Sequence, residues 1–349
     1  VDRIRIGIIG LGTMGGEHAK VFSAHPLAEL VAVSDCRLEQ VDEMRARYSI
    51  PHGYADYRKM LERPDLDAVV VATPDDSHFA PARDVLESGK HALIEKPLTI
   101  SVPEADDLVR ICHRTGKKIQ VCFNNRWLSP CHQTKVNIAK GEIGKPLAGY
   151  SRKNVTIWVP TENLRWAGKS SPAWFLSSHD IDLVRWFMDS EPTAARAWGR
   201  KEVLKARGID TYDIIQAQVM FASGAFVTFE SAWVYPNTLP SAVDSFIEIV
   251  GTGGHIHLDR KLESMEMSSQ ERFSHPKTFI NAEVFGRRRG AFPACLEDFL
   301  FAILEDKTPQ VTVMDGRQVT ATLDAIHRSL ESGQTEAVTP FVEENRGSL

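Results

Sequence analysis

Short β-branched runs alternate with stretches of helical spacing through the first 123 residues. Ile4, Ile6, Ile8 and Ile9 form the first run, as in a strand buried on both faces. A glycine-rich turn, Gly10-Leu11-Gly12-Thr13-Met14-Gly15, leads into a helical stretch over 17–23. Leu30 to Val33 is the second run and ends in Ser34-Asp35. Leu38, Val41 and Met44 then recur at helical spacing, and 53–56 reads as an edge strand. Asp67 to Ala72 is a further buried strand, followed by Thr73-Pro74-Asp75-Asp76-Ser77-His78 and a helix to Glu87, with Gly89 at its C-terminal cap. His91 to Ile94 ends in Glu95-Lys96-Pro97, where Pro97 allows a cis bond. Ser101 and Glu104 have capping-box spacing, Gly116 closes that helix, and 118–123 is the last strand. This alternation predicts a parallel, doubly wound sheet. Chemistry in such sheets gathers beyond the carboxyl ends of the strands. Those ends carry 10–14, Asp35, Thr73, Pro74, Glu95, Lys96, Asn124 and Arg126.

The pattern changes after residue 123. Ser129 and Pro130 read as cap and first residue of a helix that Gly141 ends. Strand-like segments follow at 147–159, 194–205, 215–221 and 225–234, with a Ser223-Gly224 hairpin turn. The cluster Gly251-Thr252-Gly253-Gly254 joins strand 246–250 to strand 255–258, so it predicts a hairpin and not a second phosphate loop. Late helices near 293–305 and 316–331 serve as scaffold. The expected fold is α/β, with a cofactor domain over 1–123 and an α+β domain over 124–349 built on a large, mostly antiparallel open sheet. One sheet face should pack on helices, and the other on a second copy in a homodimer or homotetramer.

The glycine turn has the form G-x-G-x-x-G between strand and helix. Gly10 permits the tight turn, Gly12 admits a pyrophosphate, and Gly15 brings helix and strand together. The N–H groups around Thr13 and Met14 then face phosphate. Asp35 is placed to accept ribose hydroxyls and repel a 2′-phosphate, which selects NAD, while Arg37 leaves room for NADP. Lys96, between a strand end and a proline, fits a proton-handling amine beside a nicotinamide. On the helix expected over 171–188, Phe175, His179 and Asp182 share one stripe, and Asp180 points about 100° away. Trp158, Trp166 and Trp174 gather nearby with Arg165 and Lys169, and Arg126 and Trp127 stand where the domains meet. Flat rings and polar groups of this kind suit a sugar or cyclitol pocket.

Composition narrows the classes. The chain has 349 residues, 43% apolar and 25% charged, with net charge −5, which argues against a broad nucleic-acid surface. Arg287-Arg288-Arg289 reads as a solvated loop. No apolar run approaches the ~20 residues of a membrane span. The first strand starts at once, leaving no room for a signal peptide. Five cysteines without C-x-x-C spacing point to reduced thiols in a cytoplasmic protein and to no metal site.

The segments GLGTMG, SD at 34–35, ATPDDSH at 72–78, EKP at 95–97, FNNRWLSP at 123–130, GEIGKP at 141–146 and VMDGRQVTATLDAIHRSLESG at 313–333 together resemble the glucose–fructose oxidoreductase, inositol dehydrogenase and MocA-like (Gfo/Idh/MocA) family. The resemblance implies a Rossmann domain followed by an α+β domain. It also implies an NAD(P)-dependent dehydrogenase or reductase of sugars, cyclitols and related polyols. Lys96 matches the catalytic lysine and His179 the catalytic histidine. Thr73, Pro74 and His78 match the segment lining the cofactor, beside Glu95, Lys96 and Arg126. Phe175 stands where the family carries an Asp one turn before the histidine, so Asp182 is the candidate to orient His179. The expected substrate pocket draws on Lys96, Asn124, Arg126, Trp158, Arg165, Trp166, Phe175 and His179. Two rivals are a nucleotide-sensing regulator without chemistry and an NAD-assisted glycosidase. A cofactor titration is expected to show NADH bound more tightly than NADPH; the reverse order would remove the role given to Asp35.

Overall fold

The computed structural model describes residues 3–263 and 265–343. In the N-terminal lobe every predicted run becomes a strand. β1 (Ile4–Ile9) leads into α1 (Thr13–Phe22), β2 (Ala28–Ser34) into α2 (Leu38–Tyr48), and β3 (His52–Tyr54) into α3 (Tyr57–Leu61). β4 (Ala68–Val71) leads into α4 (Phe79–Glu87) and β5 (His91–Ile94) into α5 (Val102–Thr115), and β6 (Ile119–Val121) completes the lobe. All pairs are parallel, in the order β3-β2-β1-β4-β5-β6. The order reverses between β1 and β4, which opens a crevice at their carboxyl ends.

Three expected helix starts are corrected. α1 begins at Thr13, inside the glycine motif, because the Gly16 N–H reaches the Gly12 carbonyl at 2.9 Å and closes the first turn there. Ser101 makes no side-chain cap; its N–H is already bonded to the Thr99 hydroxyl at 3.3 Å. Ser129 lies inside the following helix, whose cap is Leu128.

The second lobe follows with α6 (Ser129–Ala139), β7 (Pro146–Thr156), α7 (Ser178–Met188), β8 (Pro192–Arg200), β9 (Ile214–Phe221), β10 (Phe226–Tyr235), β11 (Val243–Gly251), β12 (His255–Asp259), α8 (Ala291–Leu304) and α9 (Val313–Ser332). Its sheet runs β12-β11-β7-β10-β9-β8, edged by a two-residue strand at Glu336–Ala337. Only the central β7–β10 pair is parallel. Gly251 to Gly254 does join β11 to β12 as a hairpin. The arginine cluster, expected as a loop, is a short strand, Arg287–Arg289, paired with Ala282–Val284. Strict alternation along β9 buries Ile215, Ala217 and Val219 on an inner face that α6, α7 and α9 help to cover. Trp198, Met220, Phe226 and Val250 stand exposed on the outer face.

The chain then returns to the first lobe. Phe292, Leu296 and Phe299 of α8 enter the core that holds Ile6, Ile8 and Phe22. α9 starts with a reciprocal cap: Asp315 donates its N–H to the Thr312 hydroxyl, while its Oδ2 accepts from the Thr312 N–H at 2.8 Å. Its other oxygen meets Arg126 at 3.1 Å and Arg185 at 2.5 Å. Burial pushes the Asp315 carboxyl up, but the two arginines and the cap hold it down at about 2. The folded value lies below the ordinary 3.8, so the stabilisation is present above 3.8 and lost as pH falls toward 2. Asp315→Asn is expected to lower unfolding free energy by about 2 kcal/mol at pH 7, with the difference vanishing near pH 2, as read by denaturant titrations across that range.

Candidate active site

The glycine turn forms an open cradle. Gly10 takes φ +88°, and a Cβ there would stand 2.6 Å from the Ala72 carbonyl oxygen. A Cβ on Gly15 would stand 1.9 Å from the Gly10 oxygen, so only glycine lets α1 approach β1. Gly12 is different: nothing lies within 4 Å of its would-be Cβ. The protein itself does not demand a glycine there, whereas a pyrophosphate lying on the backbone would. Thr13 and Met14 are exposed at the start of α1, which carries no side-chain cap and no acidic residue in its first turn. Its first N–H groups are therefore available to phosphate oxygens. Asp35 is fixed at the end of β2, with Oδ2 accepting from the Leu11 N–H at 2.8 Å and Oδ1 from the Arg37 N–H at 2.9 Å. Burial pushes this carboxyl up, but Arg37 and the two backbone donors outweigh it and keep it ionised. The exposed Arg37 side chain lies against it at 3.1 Å. These features fit a dinucleotide with a free ribose 2′-hydroxyl.

The loop after β5 is held from beneath. Glu95 is buried and accepts from the His18 ring at 2.8 Å, and its second oxygen accepts the Lys96 N–H at 3.2 Å. Burial opposes its charge, yet His18 and Lys96 lower the pKa overall. The donor atoms of His18, Glu95 and Cys122 lie within 4.8 Å of one another; two of the three already satisfy each other. Lys96–Pro97 is a cis peptide. His78 is buried, with one ring nitrogen 2.7 Å from the Pro97 carbonyl and the other 2.9 Å from the Thr73 carbonyl. Both partners accept only, so His78 ties two loops together and offers no free nitrogen to a cofactor. Thr73 and Pro74 stay half-exposed at the rim.

Lys96 crosses to the second lobe. Its Nζ donates to the Phe175 carbonyl at 3.1 Å and lies 4.1 Å from the centre of the Phe175 ring. A ring face and a carbonyl thus meet the Lys96 side chain. Phe175 continues into a wall, with Trp166 at 6.1 Å and the buried Trp233 at 6.3 Å between ring centres. The expected single helix over 171–188 is in fact two pieces. A wide π turn spans Ala173–Ser177 before α7. The wide turn breaks the four-residue register, so Phe175, His179 and Asp182 do not form one α-helical stripe. His179 stands at the start of α7 beside the Phe123 ring. Burial, then Lys153, Lys96 and Arg260, push its pKa well down, so the ring is neutral near pH 7. Its Nδ1 is buried without a hydrogen-bond partner among the described residues.

Several expected site residues lie elsewhere. Asp182 does not orient His179: it is fully buried and receives Arg126 at 2.9 and 2.5 Å. Arg126 spends its remaining donors on Asp315 and the Gln310 carbonyl, so it is not available to cofactor or substrate. Trp127 packs between the cores, and Trp174 stacks on His327 of α9. Arg165 is exposed, and Lys169 pairs with Asp76 at 3.7 Å. Trp158 is 44% exposed, and its backbone N–H donates to the Asn237 side-chain oxygen at 3.1 Å. Asn124 is buried directly after β6, at the crevice.

Asp75, Lys153 and Arg260 near the site escaped the sequence reading, and Asp180 was set aside there as pointing away from the His179 stripe. Asp75 is buried, accepts from the Ser170 hydroxyl at 3.0 Å, and is raised by burial against the pull of Lys96. Asp180 accepts from the Ser151 hydroxyl at 2.9 Å and pairs with Lys153 at 3.5 Å. Burial brings Lys153 down to about 8 despite Asp180. Arg260 sits at the end of β12, also buried. The available signal was a lysine at an inward position of an alternating strand.

Residues 4–123 match the family described as an oxidoreductase family, NAD-binding Rossmann fold, and 135–339 match its C-terminal alpha/beta domain. The chain is 30% identical over 322 residues to scyllo-inositol 2-dehydrogenase (NAD(+)) of Bacillus subtilis, covering 90% of each chain. It is 26% identical over 334 residues to myo-inositol 2-dehydrogenase of Thermotoga maritima, covering 94% of this chain and 96% of that one. The fold superposes with a TM-score of 0.84 on the crystal structure of scyllo-inositol dehydrogenase from Lactobacillus casei with bound cofactor NAD(H) and scyllo-inositol, at 22% identity and over 97% and 99% of the two chains. Among the described residues no helix is long and apolar enough to cross a membrane.

Removing one partner of a buried ion pair costs about 3–5 kcal/mol, because the other charge stays buried. Asp182→Ala is therefore expected to lower the melting temperature markedly while leaving the pH profile of turnover in place. A shifted profile with unchanged stability would return Asp182 to the proton path.

Proposed function

This chain belongs to the Gfo/Idh/MocA oxidoreductase family, and from that premise we propose that it interconverts a carbinol and a carbonyl on a cyclitol, sugar or related polyol, with NAD as cofactor. The observation that carries the reading is the meeting of Lys96, at the carboxyl end of β5 in one lobe, with the entry to α7 from the other. NAD, when bound, accepts or supplies the hydride. Gly10, Gly12, Gly15 and the start of α1 would hold its pyrophosphate, and Asp35 its ribose. Lys96 Nζ takes the carbinol proton in oxidation and returns it in reduction, and the Phe175 carbonyl receives an N–H of the resulting ammonium. His179, neutral and with an unpartnered Nδ1, holds the substrate hydroxyl. Phe175 and Trp166, backed by the buried Trp233, cover an apolar face of the ring and exclude water. His78 and Glu95 position the Lys96 loop without touching substrate.

The same reading divides the chain at residues 123 and 124 into a cofactor domain and a substrate domain. It also pairs the outer sheet face, with its exposed Trp198 and Phe226, against a second copy. Phe175 in place of a carboxylate is the one feature that favours the sensing regulator. The relatives' names favour the dehydrogenase and lend nothing to the glycosidase. Lys96→Ala is expected to reduce turnover by at least ~100-fold with NAD affinity kept, followed at 340 nm over a panel of inositols and keto sugars. Wild-type protein silent across that panel, or Lys96→Ala at near-normal rate, would overturn the assignment.

A further inference from the structure

The inner face of the C-terminal sheet is largely apolar, and one row across it is polar. Lys153 on β7 lies opposite Ser231 on β10 and Ser245 on β11. Arg260, one residue past β12, donates its N–H to the Ser245 carbonyl at 2.8 Å. Residues opposite one another across strands point to the same face. These four therefore form a polar line across four strands, among Val155, Phe229 and Ile247. All four are buried.

Most of this line has nothing to bond to. The hydroxyls of Ser231 and Ser245, and Nε and Nη1 of Arg260, are buried without a hydrogen-bond partner among the described residues. From α7 above, the Ser178 hydroxyl and His179 Nδ1 are in the same state. A buried polar atom left unpaired costs about 1–3 kcal/mol, so such a concentration marks a place where something other than protein supplies the partners. Lys153 alone is answered, by Asp180. Arg260 makes no ion pair among the described residues. The neighbouring Cys131 thiol is pushed up by burial and supplies no charge. The Arg260 carbonyl accepts from Lys277 Nζ, and the nearby buried Glu263 pairs with that lysine at 3.8 Å and forms no ion pair with Arg260. A guanidinium in this state matches the paired oxygens of a carboxylate or phosphate, and a ligand with hydroxyls alone would leave its charge uncompensated. The line also reaches the reacting centre, since the charges of Lys153, Lys96 and Arg260 all bear on His179.

We propose that Arg260, supported by Lys153, Ser231 and Ser245, is the anion-binding end of the substrate pocket, so that the substrate is a polyhydroxy compound carrying a carboxylate or a phosphate. This rests on the hydride-transfer reading for where the reacting carbon lies. Its readout is binding, which needs no turnover, so the two can fail separately. Calorimetry on the full chain saturated with NAD would compare D-glucose, D-glucuronate and D-glucose 6-phosphate, one scaffold with no charge, a carboxylate and a phosphate. At least one anionic sugar is expected to bind about tenfold or more tightly than D-glucose and to compete with it. Arg260→Gln should abolish that advantage with NAD affinity unchanged, and Arg260→Lys should keep part of it. The wild-type comparison decides by itself should the variants not fold. Equal affinities, failure of both anions to bind, or an advantage that survives Arg260→Gln would overturn the proposal. So would an anion that binds without competing, because Arg260 also borders a surface depression with Leu128, Pro130 and Phe279.

Discussion

The placement of the site depends on one buried cluster of charges. Arg126 leaves the first lobe directly after β6 and meets Asp182 of α7 and Asp315 of α9, and Arg185 of α7 closes on the same Asp315. Two buried cations face the buried carboxylates of Asp182 and Asp315, and the more exposed Glu191 closes on Arg185 from outside at 2.6 Å, so each buried charge is answered and each is costly to remove alone. Its consequence is geometric. It locks α7, which carries His179, at a set distance and rotation from the strand ends that carry the glycine cradle and Lys96. Such a cluster need not add much net stability over apolar packing, but it admits few alternative alignments of the two lobes. The helix that returns from the second lobe into the first, α8, strengthens the same alignment through apolar burial.

Within that frame the surroundings of His179 are rich in cations. Lys96, Lys153 and Arg260 converge on a histidine that burial already keeps neutral, and Phe175 removes the carboxylate that the family pattern would place among them. The surplus is offset in part by Asp180 on Lys153 and by the buried Asp75 near Lys96. The chain thus carries the cofactor apparatus of its family with a different charge balance where the substrate would lie. A nicotinamide that becomes positive on oxidation would add to this balance, which gives an anionic substrate group a direct electrostatic role.

The cofactor half of the site was legible because its chemistry is local. Gly10, Gly12 and Gly15 follow a strand and open a helix within one short stretch, and Asp35 ends the next strand, so spacing alone brings them together. The substrate half was not. Arg126 and Asp182 have the residue types and positions of site residues, and only the fold reveals that they are spent on each other. The Phe175–His179–Asp182 stripe assumed an unbroken α-helix, and one π turn removed it. Lys153, Ser231 and Ser245 lie on three strands and Arg260 just past a fourth, well apart along the chain. Nothing in their sequence neighbourhood marks them as neighbours, because strand register is decided by pairing and not by spacing.

Sequence alone determined the order and type of most elements, the parallel and antiparallel halves, the dinucleotide cradle and the candidacy of Lys96. These follow from hydrophobic period, turn chemistry and backbone sterics, which act over a few residues. Tertiary structure decided which charges are partnered, which polar atoms remain buried without partners, and which side chains of the second lobe face the crevice. Those depend on contacts between residues far apart in the chain, where burial and register set the energy and no local pattern records the outcome.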